Sequence, residues 1–400
     1  MREIVDVRVG VGACRINARA RALVLQVLDS HRLSSGPMMA RLERELADLH
    51  GCRYGLMCNS GTSALQIALA ALKERDGWQD GDEVLVPAVT FVATANVVFY
   101  NGLRPVFVDV EPDFFGMDPA RIERHITPRT RAIMPVHIGG LPADMPAIAA
   151  VAAARGLRVV EDSAEAMFVS VGGRPVGSWS DISCFSSYVA HIISTGVGGF
   201  CLTSDAGLLE RLKSLMNHGR DPIYTRIDDD LDVTDEQLAR IATSRFSFVR
   251  FGHSFRCTEL EAAIGLAELE EREAAQADRT RVAGALRAGL ADLEWALQLP
   301  AVRPGAEHGY MFFPIVVRDG AIDRDRLIVD LERRGIETRY LLPLINQPVY
   351  RPIVGDLEAE HPVAARLNRN AFYVGCHRYM TDADVEYVVS AFHEIVGAGR

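Results

Sequence analysis

One side chain placed to move protons is His191. It lies in a run that reads Cys-Phe-Ser-Ser-Tyr-Val-Ala-His-Ile-Ile-Ser-Thr-Gly-Val-Gly-Gly from Cys184 to Gly199. An imidazole titrates near neutrality, so it both takes and returns a proton under ordinary conditions. Three other places hold groups that could act with it. Ser60-Gly61-Thr62 links an apolar stretch to a helical one. Free backbone N–H groups at such a helix start, with the helix dipole, form an anion site, while Ser60 alone would read as a helix cap. Asp162, in Glu161-Asp162-Ser163-Ala164-Glu165-Ala166, follows a second apolar stretch. A carboxylate there either caps a helix or keeps a heteroaromatic nitrogen protonated so that the ring draws electrons. Phe91 is the third, a stacking platform or a core residue.

Alternating elements must position these groups. Helical spacing covers Ala18 to Ser30, Pro37 to Leu49, Ala64 to Lys73, Thr90 to Tyr100, Met145 to Arg155 and Gly207 to Met216. Strand signals cover Tyr54 to Cys58, Glu83 to Pro87, Pro105 to Val110, Ala132 to Val136, Leu157 to Glu161, Ile182 to Ser186 and Phe200 to Thr203. Short strands between helices imply an α/β fold with a largely parallel sheet and helices on both faces. Ligands of such sheets collect at the carboxyl ends of the strands. Ser60-Gly61-Thr62, Phe91, Asp162 and the pair Ser186 and His191 each follow a strand or the turn after it, so four strand ends converge. Beyond them, a long helix from Thr258 to about Leu293 leads to a strand at Tyr310 to Val317, a helix at Asp323 to Arg334, a strand at Ile336 to Tyr340 and a closing helix at Asp382 to Val396.

Composition bounds the function. A chain of 400 residues with 48% hydrophobic side chains buries a large core and divides into two domains. The formal charge of −10 argues against a nucleic-acid partner. No apolar run is long enough to span a membrane, and Met-Arg-Glu-Ile-Val-Asp at the start has no signal-peptide apolar region, so a cytoplasmic location is expected. The seven cysteines are scattered and never spaced Cys-x-x-Cys, which argues against a disulfide framework or a zinc site. No metal is expected. The acidic run Ile227-Asp228-Asp229-Asp230-Leu231-Asp232 lacks EF-hand spacing and reads as a solvated turn. Only two lysines are present, Lys73 and Lys213.

The order of these motifs resembles the pyridoxal-phosphate-dependent sugar aminotransferases of the DegT–StrS group, over roughly residues 20–395. The family's loop reads Ser-Phe-His-Pro-Thr-Lys-Asn-Leu-Thr-Thr-Gly-Glu-Gly-Gly, and aligning the glycines sets His191 on the lysine that holds the cofactor as a Schiff base. The resemblance implies an aspartate-aminotransferase-like fold of type I. Its large domain, residues 1–257, would hold a mostly parallel seven-stranded sheet, and residues 258–400 would form a smaller α/β domain. Residues 221–248 read as an insertion near the active site. Ser60, Gly61, Thr62 and Ser186 would hold the cofactor phosphate, Asp162 the pyridine nitrogen, and Phe91 would stack on the ring. Glu165 falls on a glutamine that bonds the ring hydroxyl and Met167 on a histidine. An anion beside that phenolate would repel it, so Glu165 is either protonated or turned away. Ser254, in Gly252-His253-Ser254-Phe255-Arg256, replaces an asparagine that reaches across a homodimer to the neighbour's phosphate. His308-Gly309-Tyr310-Met311-Phe312-Phe313-Pro314 and Arg339-Tyr340-Leu341-Leu342-Pro343-Leu344 resemble family landmarks, with Ile345 where the family has histidine. Arg339 is either a substrate-phosphate contact or a solvated side chain.

Histidine in place of lysine decides the expected chemistry. Lys73 lies roughly 15 Å beyond the phosphate turn along its helix, and Lys213 lies on the helix after the next strand, so neither substitutes. The same change marks sugar-nucleotide 3-dehydratases of this family, similar to GDP-4-keto-6-deoxymannose 3-dehydratase, whose loop also carries Ala-His as Ala190-His191 does. That resemblance implies a nucleotide-linked 4-keto-6-deoxyhexose as substrate, pyridoxal or pyridoxamine 5′-phosphate as cofactor, glutamate as amino donor and His191 as base. A cluster-dependent branch exists, but only Cys201, Cys257 and Cys376 follow His191 and none is near another, so no iron–sulfur cluster is expected. Two alternatives stand: a transaminase with His191 moving the protons, and a non-catalytic regulatory protein on the same fold.

Overall fold

The computed structural model describes residues 7–397 apart from 227 and 343. The amino-terminal Met-Arg-Glu-Ile-Val-Asp, Ile227 of the acidic run, Pro343 of the Pro-Leu landmark and the last three residues lie outside the described residues. Thirteen strands are described. They are β1 (Tyr54–Cys58), β2 (Glu83–Pro87), β3 (Arg104–Val108), β4 (Thr130–Ile133), β5 (Arg158–Asp162), β6 (Ser170–Val171), β7 (Arg174–Pro175), β8 (Ile182–Ser186), β9 (Gly199–Thr203), β10 (Leu297–Gln298), β11 (Phe312–Val317), β12 (Thr338–Tyr340) and β13 (Ala371–Gly375).

Seven of them form one sheet in the order β1-β9-β8-β5-β4-β2-β3. The run from β8 through β5, β4 and β2 to β3 is parallel, and β9 alone runs against its two neighbours. Side chains alternate between its two faces. From β2, Val84 and Val86 enter one core while Leu85 enters another, and from β5, Val160 and Val159 divide the same way. Helices Gly61–Asp76 and Val92–Tyr100 cover the first face with Ile67, Leu69, Val97 and Val98. Helix Met145–Arg155 covers the second with Met145, Ile148 and Ala152. Burial on both faces explains why these strands are nearly all apolar rather than alternating.

The second sheet is antiparallel throughout, in the order β10-β11-β13-β12. It has its own core, in which Val282, Leu286 and Leu290 of helix Arg272–Leu290 meet Val388 and Phe392 of helix Asp382–Gly397. The single helix expected from Thr258 to Leu293 is two helices, Glu259–Glu270 and Arg272–Leu290, separated at Glu271 (φ −101°, ψ 4°). The break has a packing cause. The first helix buries Ala262, Ala263 and Leu266 in the core of the large sheet, whereas the second buries its stripe in the core of the small one. Along this pair of helices, packing therefore changes core at Glu271.

Candidate active site

Of the groups read from the sequence, Ser60, Gly61, Thr62, Phe91, Asp162, Glu165, Ser186 and His191 line one cavity of about 770 Å³, and Ser254 does not. The cavity floor is the carboxyl end of the parallel strands. Helix Gly61–Asp76 starts there, its cap Ser60 accepting a hydrogen bond from the Ser63 N–H at 3.0 Å. The N–H groups of Gly61 and Thr62 remain for an outside acceptor. A Cβ built on Gly61 would lie 2.7 Å from the Cβ of Ser186, and one on Gly199 would run into the backbone of Ser60. The β1 and β8 turns thus approach more closely than side chains permit, which brings the Ser186 hydroxyl beside the helix start. Two free N–H groups, a helix dipole and two hydroxyls fit a phosphate group.

Asp162 ends β5 and is 4% exposed. Its Oδ2 accepts from the Thr94 hydroxyl at 2.8 Å and its Oδ1 from the Ala164 N–H at 3.2 Å. Burial raises its pKa, against the pull of those two hydrogen bonds and His137. A cation-bearing nitrogen placed against this carboxylate would supply the missing charge, which fits a pyridinium N–H. Glu161, its neighbour, faces the other way, where it accepts from Gly177, Trp179, Ser180 and His137. Alternation along the strand thus separates a structural carboxylate from one turned to the cavity.

Glu165 also lines the cavity, its Oε2 accepting the Gly139 N–H at 2.7 Å. Burial, with a smaller contribution from Asp162, pushes its carboxyl up to about 8. At neutral pH the group is protonated and can donate one hydrogen bond, as an amide would. The repulsion expected of an anion at this position is thereby removed. Phe91 caps helix Val92–Tyr100 and is 56% exposed, with its ring at the cavity wall. Thr94, one turn further, was not singled out by sequence reasoning. Its spacing from Phe91 on the same helical face was the available signal.

His191 sits on the cavity wall with its Nδ1 2.5 Å from the carbonyl oxygen of Ala164. A carbonyl only accepts, so Nδ1 carries the proton and Nε2 the lone pair. Burial lowers the imidazole to about 4, aided by the charge of Arg279, against the Ala164 and Ser186 carbonyls. The ring is therefore neutral and basic at Nε2. No lysine lines the cavity among the described residues. The Nζ of Lys73 is held by Asp80 and, at 2.7 Å, by the carbonyl of Asn101. Lys213 lines a separate cleft with Glu210 and Asp229.

Two expected residues sit differently. Ser254 is exposed and does not line this cavity; its hydroxyl accepts from Arg256 at 3.1 Å. Arg339 does line it, but is ion-paired with Glu337 and donates to the Thr338 carbonyl at 2.7 Å. The acidic run is absorbed locally, with Asp228 on Arg32, Asp229 on the N–H of Thr225 and Arg226, and Asp230 on Arg245.

The sequence of residues 15–393 matches the model of the DegT/DnrJ/EryC1/StrS aminotransferase family. The chain belongs to that family. It is a family of pyridoxal-phosphate-dependent enzymes that modify sugar nucleotides. GDP-perosamine synthase of Caulobacter vibrioides is 34% identical over 97% of this chain and 98% of its own. A UDP-N-acetyl-3-dehydro-alpha-D-glucosamine 3-aminotransferase of Acidithiobacillus ferrooxidans is 39% identical over 80% of this chain and 78% of its own. Among solved structures, the E. coli GDP-4-keto-6-deoxy-D-mannose-3-dehydratase with bound hydrated pyridoxal phosphate superimposes with a TM-score of 0.86. It covers 96% of this chain and 99% of that one at 22% identity, a likeness of fold. The aspartate-aminotransferase-like α/β fold expected from the sequence is the fold observed. No helix among the described residues is long and apolar enough to cross a membrane.

Proposed function

We propose that the protein is a pyridoxamine-phosphate-dependent dehydratase that removes the C3 hydroxyl of a nucleotide-linked 4-keto-6-deoxyhexose. One observation supports the reading: His191, which the alignment of the glycines sets on the family's lysine, stands at the cavity wall, and among the described residues no lysine does. When bound, the cofactor supplies the amine that condenses with the C4 ketone and the electron sink through which the C3 hydroxyl departs.

The chain's own residues do the rest. Gly61 and Thr62 N–H groups with the Ser60 and Ser186 hydroxyls hold the phosphate, and Phe91 covers the ring face. Asp162 keeps a proton on the pyridine nitrogen, and protonated Glu165 donates to the ring hydroxyl. His191 takes a proton at Nε2. Because burial disfavours the imidazolium, the ring returns that proton readily. A histidine makes no lasting covalent bond to the cofactor, so the amine form binds without a covalent link to the protein. Glutamate would restore the amine, in a cytoplasmic homodimer in which Ser254 serves the neighbouring site.

A transaminase with the same proton shuttle is the second reading, favoured by the likeness to the Acidithiobacillus 3-aminotransferase. Incubation with a panel of 4-keto-6-deoxy sugar nucleotides, with and without glutamate, separates them by product mass. A ketosugar in which hydrogen has replaced the C3 hydroxyl, lighter by one oxygen, with glutamate consumed as the source of the two electrons, supports the dehydratase; an amino sugar with the C3 oxygen intact overturns it.

A further inference from the structure

Helix Arg272–Leu290 buries Ala275, Val282, Leu286 and Leu290 on one stripe, and Arg279 lies in that stripe at 4% exposed. A desolvated guanidinium is costly unless its N–H groups are bonded. Here the acceptors are all backbone carbonyls. Nη1 donates to Tyr310 at 3.1 Å, Met311 at 3.2 Å and Cys376 at 2.8 Å, and Nη2 donates to the carbonyl of His191 at 3.3 Å. Nε is buried without a partner. The fork thus ties the entry of β11 and the exit of β13 to the one loop that carries the base.

Ile192 and Ile193 bury the far side of that loop in the core, Thr195 pairs with Ser187 at 2.6 Å, and the His191 ring itself donates to Ala164, but the main chain at His191 is tied outside the loop through its carbonyl. Ser187 and Gly198 close its ends at 3.0 Å, and the His191 N–H bonds back to Tyr188 within the loop itself. Tyr188 and Val189 are exposed. A lysine bonded to a cofactor is held in place by that bond. A histidine has no such tether, so its aim depends wholly on the protein around it.

We propose that Arg279 is the positioning residue of the base: its fork fixes the His191 carbonyl against the small sheet and so holds the imidazole on the cavity wall. The inference rests on the reading of His191 given above. Arg279 also faces the ring as a cation, together with the Ala164 and Ser186 carbonyls and the edge of Tyr188 at 6.1 Å. Position and charge are separable by substitution. Arg279→Lys keeps the charge but loses the planar fork, and Arg279→Met loses both.

The experiment uses full-length protein with labelled histidine. Nuclear magnetic resonance follows the His191 titration and amide exchange across residues 188–195 without cofactor, and steady-state kinetics follow the loaded enzyme. In Arg279→Met the His191 midpoint should rise by about one pH unit. Exchange at the loop should quicken, and kcat should fall about 100-fold with KM for the sugar nucleotide within about twofold. In Arg279→Lys the midpoint should stay while exchange and kcat change as in Arg279→Met. A folded variant of either kind with parental kcat and parental exchange overturns the proposal. If Arg279→Met does not fold, Arg279→Lys decides by the same two readings. If neither folds, the parent decides: slow exchange of the Arg279 guanidinium protons supports the anchor and fast exchange overturns it. Failure of the dehydratase reading would appear separately, as a C3 hydroxyl left in place by the parent, since titration and exchange need no substrate.

Discussion

His191 donates from Nδ1 to the carbonyl of Ala164, two residues beyond Asp162 and one before Glu165. The base and both cavity carboxyls are therefore fixed to a single four-residue segment at the end of β5. The bond fixes the tautomer, and it and the Arg279 anchor on the His191 carbonyl hold the ring and the main chain of the same residue.

His191→Asn should keep the Ala164 bond through its amide N–H while removing the lone pair at Nε2. Cofactor affinity should stay within a few-fold of the parent. The rate of water loss should drop by about 10² to 10⁴, the usual range for general acid–base catalysis. Absorbance titration gives the first number and product mass spectrometry the second. Dehydration at the parental rate would remove His191 from the chemistry.

His191→Lys tests position rather than basicity. The parent, mixed with pyridoxal phosphate and reduced with borohydride, should release all of it on denaturation. The variant should retain close to one cofactor per chain on the peptide that contains position 191. Label found on Lys73 or Lys213 of the parent would contradict the placement of both outside the cavity.

Much of this site was legible because the groups follow strand ends, and strand ends follow from short apolar runs. Ile182 to Ser186 matched β8 residue for residue, and Asp162 and Ser186 fell where their strands stop. Three features were not legible. β13, Ala371–Gly375, is five residues packed between a helix and a turn, too short for periodicity to declare it. The break at Glu271 carries no glycine or proline; it comes from the two helices entering different cores. Arg279 belongs to none of the motifs, and only its place in the apolar stripe with Ala275, Val282 and Leu286 marks it out.

The homodimer makes its own prediction. Ser254 follows a run in which Phe246 is 84% and Phe251 fully exposed in a single chain, an apolar surface that a second copy would cover. Light scattering should give twice the mass of one chain. Ser254→Ala should weaken cofactor binding about tenfold without changing the fold, the size of one hydrogen bond to a charged group. A fully active monomer would count decisively against a shared site.

Glu165→Gln should relieve a cost the parent carries near neutrality. The carboxyl is held at about 8 rather than at its ordinary 4.5, with burial as the main cause. A raised pKa means the folded state binds the proton that the unfolded chain releases. The stabilisation from that proton is full below 4.5 and is lost as pH rises through about 8. Glutamine has no such dependence. Without cofactor, the variant should match the parent near pH 4.5 and gain on it with rising pH, by roughly 3 kcal/mol at pH 7. Cofactor affinity should behave in step. In the parent it should fall above pH 8, as an ionised Glu165 meets the ring phenolate, and in the variant that alkaline limb should flatten. Urea unfolding at several pH values, paired with cofactor titration, measures both. Identical pH dependence in the two proteins would mean that Glu165 is already ionised at neutrality and does not donate to the ring hydroxyl.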